Sequence, residues 1–423
     1  MFVELVWTLP FIVLLACIAL VPLLHKHWWE KNFLFLSFGL GLLVIFHYLF
    51  QLRDSENLLR TALEYFSFIC LIGSLFVVSG GIHITVKGEA TPLVNSVYLF
   101  VAALLSNLLG TTGASMVFVR PWLRMNKYRL TAHHIVFFIF IVSNVGGCLT
   151  PIGDPPLFLG YLKGVPFWWV LEKCWAAWTF AVLGLISIFY GLDRQNFLRA
   201  PRDVREAETR EEIWKIDGLR NLAFLGLILG AVFIKSPPGL SEALMIGAAL
   251  GSWWLTSKPI HEANDFNFAP IKEVAILFLG IFATMIPALQ WLEHHAQATG
   301  IRSAGQFFWA SGILSSVLDN APTYLNFLSA AIGLFVSPEE ATHHGSHVAA
   351  LLMNHAGYIR AISVGSVFFG AMTYIGNGPN FLVKSIADQA DAKTPSFFGY
   401  VLCYSAPVLV PLFTLVWFLF FRS

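Results

Sequence analysis

The stretch Gly147–Phe158 reads GCLTPIGDPPLF, and a related stretch, Gly370–Phe381, reads GAMTYIGNGPNF. They lie 370 − 147 = 223 residues apart, and six of their twelve columns are identical. Asp154 in the first stretch faces Asn377 in the second, which is a conservative polar match. Self-similarity at a fixed offset predicts that the chain is built from two related halves.

A second, weaker pair of segments lies upstream of the first in each half. Its two copies read LLSNLLGTTGAS, Leu104–Ser115, and SVLDNAPTYLNF, Ser316–Phe327. Asn107 follows Ser106 in one copy, and Asn320 follows Asp319 in the other. We pair the two asparagines, and their offset of 320 − 107 = 213 keeps the order and nearly the spacing of the first repeat.

The composition around these segments is that of a membrane protein. Of the 423 residues 57% are hydrophobic and 12% are charged, with a mean hydropathy of +0.69. Soluble domains carry roughly 45–50% apolar and about 25% charged residues. The lipid bilayer is therefore the expected surroundings. A net charge of +1 offers no basic footprint, so no nucleic-acid partner is expected.

Long apolar runs recur along the whole chain. Because about 20 apolar residues span a bilayer, the runs predict an all-α membrane protein with ten to twelve transmembrane helices. The first run, Leu5–Leu24, is followed by basic residues, which is the reverse of a cleavable signal. We interpret it as the first membrane helix of a multi-pass protein of the plasma (inner) membrane.

A charged stretch divides the chain near its midpoint. Residues 193–217, DRQNFLRAPRDVREAETREEIWKID, are too polar for hydrocarbon and are interpreted as a surface linker. Residues 1–192 and 218–423 are then the two membrane halves. Six basic residues in this stretch favour its cytoplasmic placement by the positive-inside rule.

The repeated stretches cannot form continuous helix. Prolines in TPIGDPP and the Gly-Pro pair in TYIGNGPN remove donors and clash with the preceding turn. Irregular backbone survives at membrane depth only when it is buried in protein or lines a cavity. Paired broken segments in corresponding halves mark the binding site of many transporters. The alternative for either segment alone is a simple proline kink.

Polar groups within the repeats are the candidate site residues. Ionisable residues at membrane depth are costly and tend to mark function, which singles out Asp154 and Asp319 as proton-coupling groups. Oxygen-rich sets suit hard cations such as Na⁺. The full candidate set comprises Ser106, Asn107, Thr111, Asn144, Thr150, Gly153, Asp154, Asp319, Asn320, Thr323, Thr373, Gly376, Asn377 and Asn380. The alternative role for each is a polar group satisfied between helices.

Other motifs in the sequence give weaker evidence of a functional role. Histidine doublets such as His133-His134 sit at the ends of apolar runs, where a solvated interfacial role is expected, and adjacent helix residues point apart. Glu64 and His355 are weaker proton-relay candidates. Nucleotide-binding, hydrolase and zinc-protease motifs are absent from the sequence, so neither an enzyme nor a resident metal or cofactor is expected.

The segments VSNVGGCLTPIGDPPLFLGYLKGVPF (Val142–Phe167) and SSVLDNAPTYLNF (Ser315–Phe327) resemble the ion transporter superfamily. That group includes arsenite-efflux subunits, D-type sodium/proton antiporters and citrate–metal symporters. The closest resemblance is to its branch of citrate transporters or sodium:proton antiporters.

The resemblance implies two inverted repeats, each with a re-entrant hairpin and a broken helix meeting at mid-membrane. It places hairpins at residues 93–119 and 304–336, with Ser106-Asn107 and Asp319-Asn320 at their tips. The helix breaks would cover residues 147–158 and 370–381. Dimers are common in the superfamily, so a homodimer is an expectation from the resemblance.

One departure from the superfamily is informative. The first hairpin reads SNLLGTTG where many members carry an Asp-Asn pair, and Asn377 replaces the acid of the first break. Each half therefore holds one carboxylate in these motifs, on different motif types. Which of the two carries the proton stays open at this point.

These observations favour a secondary transporter that exchanges Na⁺ for H⁺ by alternating access. The runner-up is cation-coupled uptake of citrate or a related carboxylate, free or as a metal complex. No arginine lies inside the repeated motifs to bind a carboxylate substrate in bidentate fashion, which favours the cation. A channel or a structural membrane subunit is a more distant alternative.

Overall fold

The computed structural model describes residues 5–87, 90–199, 213–234, 236–390 and 392–422. The helices of the first half are α1 (Leu9–Leu24), α2 (Lys26–Phe46), α3 (Ser55–Gly80), α4 (Pro92–Met125), α5 (Ala132–Ile141), α6 (Pro155–Leu162) and α7 (Phe167–Arg199). Those that follow are α8 (Asn221–Ala231), α9 (Leu240–Leu255), α10 (Lys258–Ala263), α11 (Ala269–His295), α12 (Ala304–Ser315) and α13 (Asn320–Phe335). The last are α14 (Pro338–His344), α15 (His347–Phe369), α16 (Gly378–Gln389), α17 (Phe397–Tyr400) and α18 (Val410–Phe420), with a π-helical stretch between the final two.

Six helical stretches of the described chain are long and apolar enough to cross a membrane. They are His27–Leu52, Ser55–Gly80, Pro92–Met125, Phe167–Arg199, Ala269–Ala298 and Phe397–Phe420. Shorter apolar helices accompany them. Large side chains such as Phe35 and Trp254 are exposed on the outside, where lipid would surround them. The chain is thus a helical membrane protein, and the span count of ten to twelve stays a prediction.

A two-stranded sheet accompanies the helices, and the fold is otherwise the expected all-α membrane protein. β1 (His83–Lys87) pairs antiparallel with β2 (Ile213–Asp217). Both ends of the predicted linker, residues 193–217, belong to regular elements, because 193–199 continue helix α7 and 213–217 form β2. Its residues 200–212 lie outside the described part of the chain.

Helix α4 folds back on itself and forms a hairpin. Gly110 has φ 72° and ψ 155°, a left-handed conformation that favours glycine. The two arms then run antiparallel, since the Tyr98 hydroxyl donates to the Phe118 carbonyl at 2.7 Å. The Tyr98 ring also stacks on Trp122, with 5.6 Å between ring centroids. We call Pro92–Met125 hairpin 1, and its tip is Gly110.

Helices α12 and α13 form a second hairpin around the turn at residues 316–319. The Phe307 ring near the start of α12 contacts both Phe327 and Phe335 of α13, with centroid distances of 6.2 and 6.3 Å. The arms therefore lie side by side. We call Ala304–Phe335 hairpin 2.

Two irregular segments interrupt the chain at the repeated motifs. Break 1 comprises residues 142–154, between α5 and α6, and break 2 comprises Gly370–Asn377, between α15 and α16. The predicted range 147–158 begins 147 − 142 = 5 residues too late and ends 158 − 154 = 4 residues too late, whereas the predicted range 370–381 begins correctly and ends 381 − 377 = 4 residues too late. The helices resume earlier because proline is tolerated in the first turn of a helix, where its missing N–H is not needed.

Each break folds around a close approach of two glycines. A Cβ on Gly153 would lie 2.1 Å from the Gly147 carbonyl oxygen, and one on Gly376 would lie 2.6 Å from that of Gly370. The chain can therefore close both loops only where no side chain stands at these positions.

We expect Gly153→Ala to destabilise the protein by about 1–3 kcal/mol, the usual cost of overpacking a filled interior. Gly378→Ala is the matched control, since a Cβ added at Gly378 would meet no other atom within 4 Å. Thermal unfolding of the purified variants in detergent measures both. Equal unfolding temperatures for the two variants would contradict the close approach.

Candidate functional site

The carboxylate of Asp154 lies where both hairpins and both breaks converge. It is 1% exposed and occupies the N-cap position of α6. The Thr111 hydroxyl donates to its Oδ1 at 2.6 Å, and the Asn377 amide donates to the same oxygen at 3.1 Å. The Asn320 amide donates to Oδ2 at 2.5 Å. Residues up to 223 positions apart therefore surround one buried acid.

One oxygen at this centre lacks a partner. The Asn320 Oδ1 atom is buried and accepts no hydrogen bond from any described residue. A buried polar atom without a partner costs free energy and calls for an explanation such as a missing ion or water. A cavity of about 30 Å³ adjoins Asp154, lined by the hairpin 1 tip, break 1 and residues of α3. This is room for one water molecule or a bare alkali cation.

Asp319 has a different local role. Its carboxylate accepts the Ala321 backbone N–H at 3.0 Å and so caps the start of α13. Acids are favoured at this position because they bind free backbone donors. Among its described hydrogen bonds, none reaches Asp154. Asp319 thus holds the turn that presents Asn320.

Several predicted ligands instead satisfy the irregular backbone of break 1. The Asn107 amide donates to the Gly146 carbonyl at 2.7 Å and accepts from the Leu149 N–H at 2.8 Å. The Thr150 hydroxyl donates to the Asn107 carbonyl at 2.6 Å and accepts from the Gly153 N–H at 3.1 Å. Buried backbone groups need such partners, so these side chains brace the loop that carries Asp154.

Break 2 is braced in a similar way. The Asn380 amide donates to the carbonyls of Gly370 and Thr373, both at 2.8 Å. Asn144 donates to the Asn380 side-chain oxygen at 2.7 Å, and Asn377 donates to that of Asn144 at 3.3 Å. This chain of amides joins the two breaks directly.

The remaining predicted hydroxyls bond backbone groups. Ser106 donates to the Val142 carbonyl at 2.9 Å, and Thr323 donates to the Asp319 carbonyl at 2.9 Å. Thr373 accepts from the Gly376 N–H at 3.1 Å. These are the packing roles that the sequence left as alternatives.

The contacts correct the register of the weaker repeat. Thr150 donates to the Asn107 carbonyl, and its counterpart Thr373 donates to the Ser316 carbonyl at 2.6 Å. Asn107 therefore corresponds to Ser316, with an offset of 316 − 107 = 209 rather than 213. The pairing of Asn107 with Asn320 was wrong by four residues, about one helical turn.

The corrected offset pairs the two residues that face the acid. Thr111 and Asn320 are 320 − 111 = 209 residues apart, and both donate to Asp154. The expected position of Ser106-Asn107 at the hairpin tip is also wrong, because the chain reverses at Gly110. The tip residues of both hairpins thus meet the same carboxylate.

A buried ionic cluster that the sequence did not reveal lies at the base of hairpin 1. Asp193 is 0% exposed and forms an ion pair with Arg129 through both oxygens. His134 Nε2 lies 3.0 Å from Asp193 Oδ1, and the Asn95 amide donates to Oδ2 at 2.9 Å. The expectation that Asp193 and His134 lie in solvated surface positions was therefore wrong. The only sequence signal was a set of polar residues at the ends of three apolar runs.

The chemistry of this cluster argues against a metal centre. His133, His134 and Asp193 lie close enough to share an ion. The Thr131 N–H, however, donates to His134 Nδ1 at 3.2 Å, which puts the ring proton on Nε2, facing Asp193. With Arg129 and Asn95 also donating, the acceptor positions of the carboxylate are in use. The guanidinium already supplies the balancing positive charge.

The fold and the site define a membrane transporter: apolar helices surround two broken segments whose polar groups converge on one buried acid. The chain belongs to the family described as "Putative citrate transport", whose model matches residues 2–421. It is also similar to a "46 kDa membrane protein" of Mycobacterium leprae (strain TN), with 24% identity over 321 residues and coverage of 72% of each chain. The resemblance to the citrate-transport branch is thereby confirmed.

Proposed function

We propose that the protein exchanges Na⁺ for H⁺ across the membrane by alternating access, with Asp154 as the shared binding group. The observation that carries this proposal is the unpartnered Asn320 Oδ1 beside the buried Asp154 carboxylate. Carboxylate and amide oxygens are the ligands that hard cations prefer. A proton on Asp154 removes the negative charge that holds the cation, so each ion excludes the other.

Two halves of opposite orientation would provide the two access states. The base of hairpin 1 lies at the end of α7, where Asn95 contacts Asp193. The base of hairpin 2 lies at the end of α18, where the Phe308 ring stacks near Phe421 with 5.1 Å between centroids.

Contacts between α7 and α18 support the opposite orientation. The Phe180 ring lies 6.3 Å from Phe420, and a Cβ on Gly184 would meet Leu412 at 2.9 Å. Residue numbers rise along α7 as they fall along α18, so the helices are antiparallel and the hairpin bases lie at opposite ends. This supports the inverted repeat of many secondary transporters.

The second candidate is cation-coupled transport of citrate or a related carboxylate, which the family description favours. A carboxylate substrate needs positive charge or several donors nearby. The amides at the centre already donate to Asp154 or to backbone carbonyls, so we place this candidate second. A channel would need no acid coupled to a proton gradient.

The placement in the cell is also a proposal. The basic residues of the linker favour the cytoplasmic side for the end of α7. We also propose that the protein lies in the plasma (inner) membrane and forms a homodimer. Na⁺ and H⁺ are the coupled ions of the proposal.

Na⁺-triggered proton movement in proteoliposomes, followed with a pH-sensitive dye, tests the proposal. We expect a Na⁺-dependent signal from the intact protein. Asn320→Ala should raise the Na⁺ concentration for half-maximal exchange about tenfold, because it removes one oxygen ligand of the cation, a loss of about 1.4 kcal/mol. Asn326→Ala, on the same helix but outside the Asp154 contacts, is the control.

Either of two results would contradict the proposal. Intact protein that shows no Na⁺-dependent signal excludes the antiport, and labelled citrate uptake under the same gradients then examines the second candidate. If the Na⁺ concentration for half-maximal exchange is the same in Asn320→Ala as in wild type, the Asn320 amide does not bind the cation.

A further inference from the structure

An ion pair joins the helix that carries Asp154 to a part of the protein that contributes no described hydrogen bond to that acid. Lys163 Nζ lies 2.8 Å and 2.7 Å from the two carboxylate oxygens of Glu64. Glu64 is on α3, and its side chain is 12% exposed, against 28% for Lys163. The sequence suggests Glu64 as a proton-relay candidate, but its described charged partners are Lys163 and, at 3.9 Å, Arg60 on the same helix.

The helices fall into two packed sets. The set that we call the peripheral set contains α1, α2, α3, α8, α9 and α11, which pack on one another. The set that we call the site set contains the hairpins, the helices that flank the breaks, α7 and α18. The two sets meet along an extensive interface, in which α11 packs against α13 and α3 packs against hairpin 1. All described hydrogen bonds to the Asp154 side chain come from the site set. The Glu64–Lys163 pair crosses from one set to the other.

Helix α6 connects this pair directly to the acid. Asp154 stands at its N-cap and Lys163 at its C-cap, and the eight residues between them span about 12 Å at 1.5 Å per residue. A helix of eight residues moves as a rigid body, so a displacement of Lys163 at one end of α6 also displaces Asp154 at the other. Two residues before Lys163, the Tyr161 hydroxyl donates to the Val232 carbonyl at the end of α8, at 2.8 Å. Both contacts hold α6 against the peripheral set.

Other polar contacts between the two sets are more exposed. In the His347–Glu293 pair the side chains are 52% and 33% exposed, and Asp265, the partner of Arg120, is 75% exposed. Exposed pairs contribute little because water screens them. In the half-buried Glu64–Lys163 pair, one lysine contacts both carboxylate oxygens of Glu64. It is thus the strongest described ion pair between the peripheral set and the site set.

We propose that Glu64 and Lys163 are positioning residues that form a latch, which holds α6 and Asp154 in the present conformation and must open in each transport cycle. The inference rests on alternating access in the proposed function. Movement of the site set against the peripheral set carries Lys163 away from Glu64, and re-formation of the pair restores this state. The pair then affects how fast the sets exchange conformations rather than how tightly Asp154 binds its ion.

Cross-linking across the pair tests the latch. In a variant without the five native cysteines, Glu64→Cys and Lys163→Cys are introduced together and joined by a reducible bifunctional thiol reagent. We expect exchange in proteoliposomes to fall about tenfold or more, because alternating access requires one bundle to move against the other. Reduction of the cross-link should restore it.

Arg60→Cys with Glu64→Cys is the matched control. Arg60 Nε lies 3.9 Å from Glu64 on the same helix, so this cross-link uses the same site and reagent without crossing the boundary. Cross-linking should leave the exchange rate of this control variant the same as before the reagent was added. Equal rates before and after cross-linking of Glu64→Cys with Lys163→Cys would overturn the latch.

A second readout does not depend on transport. The rate of cross-linking between Glu64→Cys and Lys163→Cys is measured with and without Na⁺, citrate and a pH change, beside the Arg60–Glu64 control. A latch that opens predicts a rate that changes with at least one of these conditions, whereas the control stays constant. If uncross-linked protein shows no exchange, the proposed antiport fails, and the cross-linking rate alone then tests the latch. A cross-linking rate between Glu64→Cys and Lys163→Cys that stays constant under all these conditions overturns the latch.

Discussion

Replacing Asp154 with asparagine is expected to reduce Na⁺-coupled proton movement to the background of empty liposomes. The substitution keeps the shape of the side chain but removes both the negative charge and the titratable proton. Three donors from Thr111, Asn320 and Asn377 converge on the carboxylate oxygens, and an amide in that place cannot accept all three bonds. Proteoliposome flux with a pH-sensitive dye provides the measurement, with thermal unfolding to verify that the variant is folded.

Asp319→Asn is the matched comparison, because it removes an acid from the neighbouring turn. Asparagine caps helices about as well as aspartate, and the Asp319 carboxylate caps α13 through the Ala321 N–H. Exchange by this variant should stay within about threefold of wild type, as expected when a cap is conserved. Loss of exchange in Asp319→Asn with retention in Asp154→Asn would reverse the assignment of the proton-carrying acid.

The second large effect concerns stability rather than transport. Asp193→Ala should lower the free energy of unfolding by about 3–5 kcal/mol, the range for breaking a buried ion pair by removing one partner. The variant leaves the Arg129 guanidinium buried beside His134 without its acid. Thermal unfolding in detergent, followed by circular dichroism, measures the loss.

Two further variants test whether this loss of stability comes from leaving the Arg129 charge buried without a partner. The double variant Asp193→Leu with Arg129→Met removes both charges and should recover most of the stability, because apolar replacements of buried pairs are often neutral. Glu172→Ala removes an exposed partner of Lys173 and should change stability by less than about 0.5 kcal/mol. An Asp193→Ala variant as stable as Glu172→Ala would show that the buried pair contributes nothing.

The cluster at Asp193 also bears on the motion of the hairpins. It joins the first arm of hairpin 1, through Asn95, to the start of α5, through His134, and to the end of α7. At the base of hairpin 2 the corresponding contacts are aromatic, as between Phe308 and Phe421. The Arg360 guanidinium also lies 5.2 Å from the centroid of the Phe421 ring. A buried ion pair thus lies at the base of hairpin 1, whereas ring stacking and a cation–π contact lie at the base of hairpin 2.

The sequence predicted the two interruptions well because their cause is local. Proline and glycine act on the turn in which they stand, so TPIGDPP and TYIGNGPN disrupt a helix wherever it lies. The breaks at 142–154 and 370–377 are found where these motifs predict them, with their C-terminal ends displaced by four residues. The displacement also has a local cause, since proline at the first turn starts a helix rather than ending one.

The weaker repeat was misaligned because its evidence was not local. An Asn with a polar neighbour recurs often in a membrane chain, and nothing in the letters of LLSNLLGTTGAS shows which residue forms the tip. The structure decides it through Gly110, whose φ of 72° reverses the chain, and through the Thr150 and Thr373 hydroxyls that bond equivalent carbonyls. An alignment shifted by one helical turn still places the compared residues on the same face of a helix. The polar pattern of the two copies therefore fits the wrong register as well as the right one.

By itself, the sequence determined the lipid surroundings of this protein and the places where its helices break, and it predicted two related halves. These follow from composition and from the chemistry of single turns, which neighbours in the chain fix. Only the tertiary structure decided which polar residues meet. Thr111, Asn320 and Asn377 approach Asp154 from 43 to 223 positions away, and Arg129 pairs with Asp193 across 64. Apolar helices pack together in many ways, so their periodicity does not specify which buried polar groups become partners; the need to pair each of them selects one arrangement.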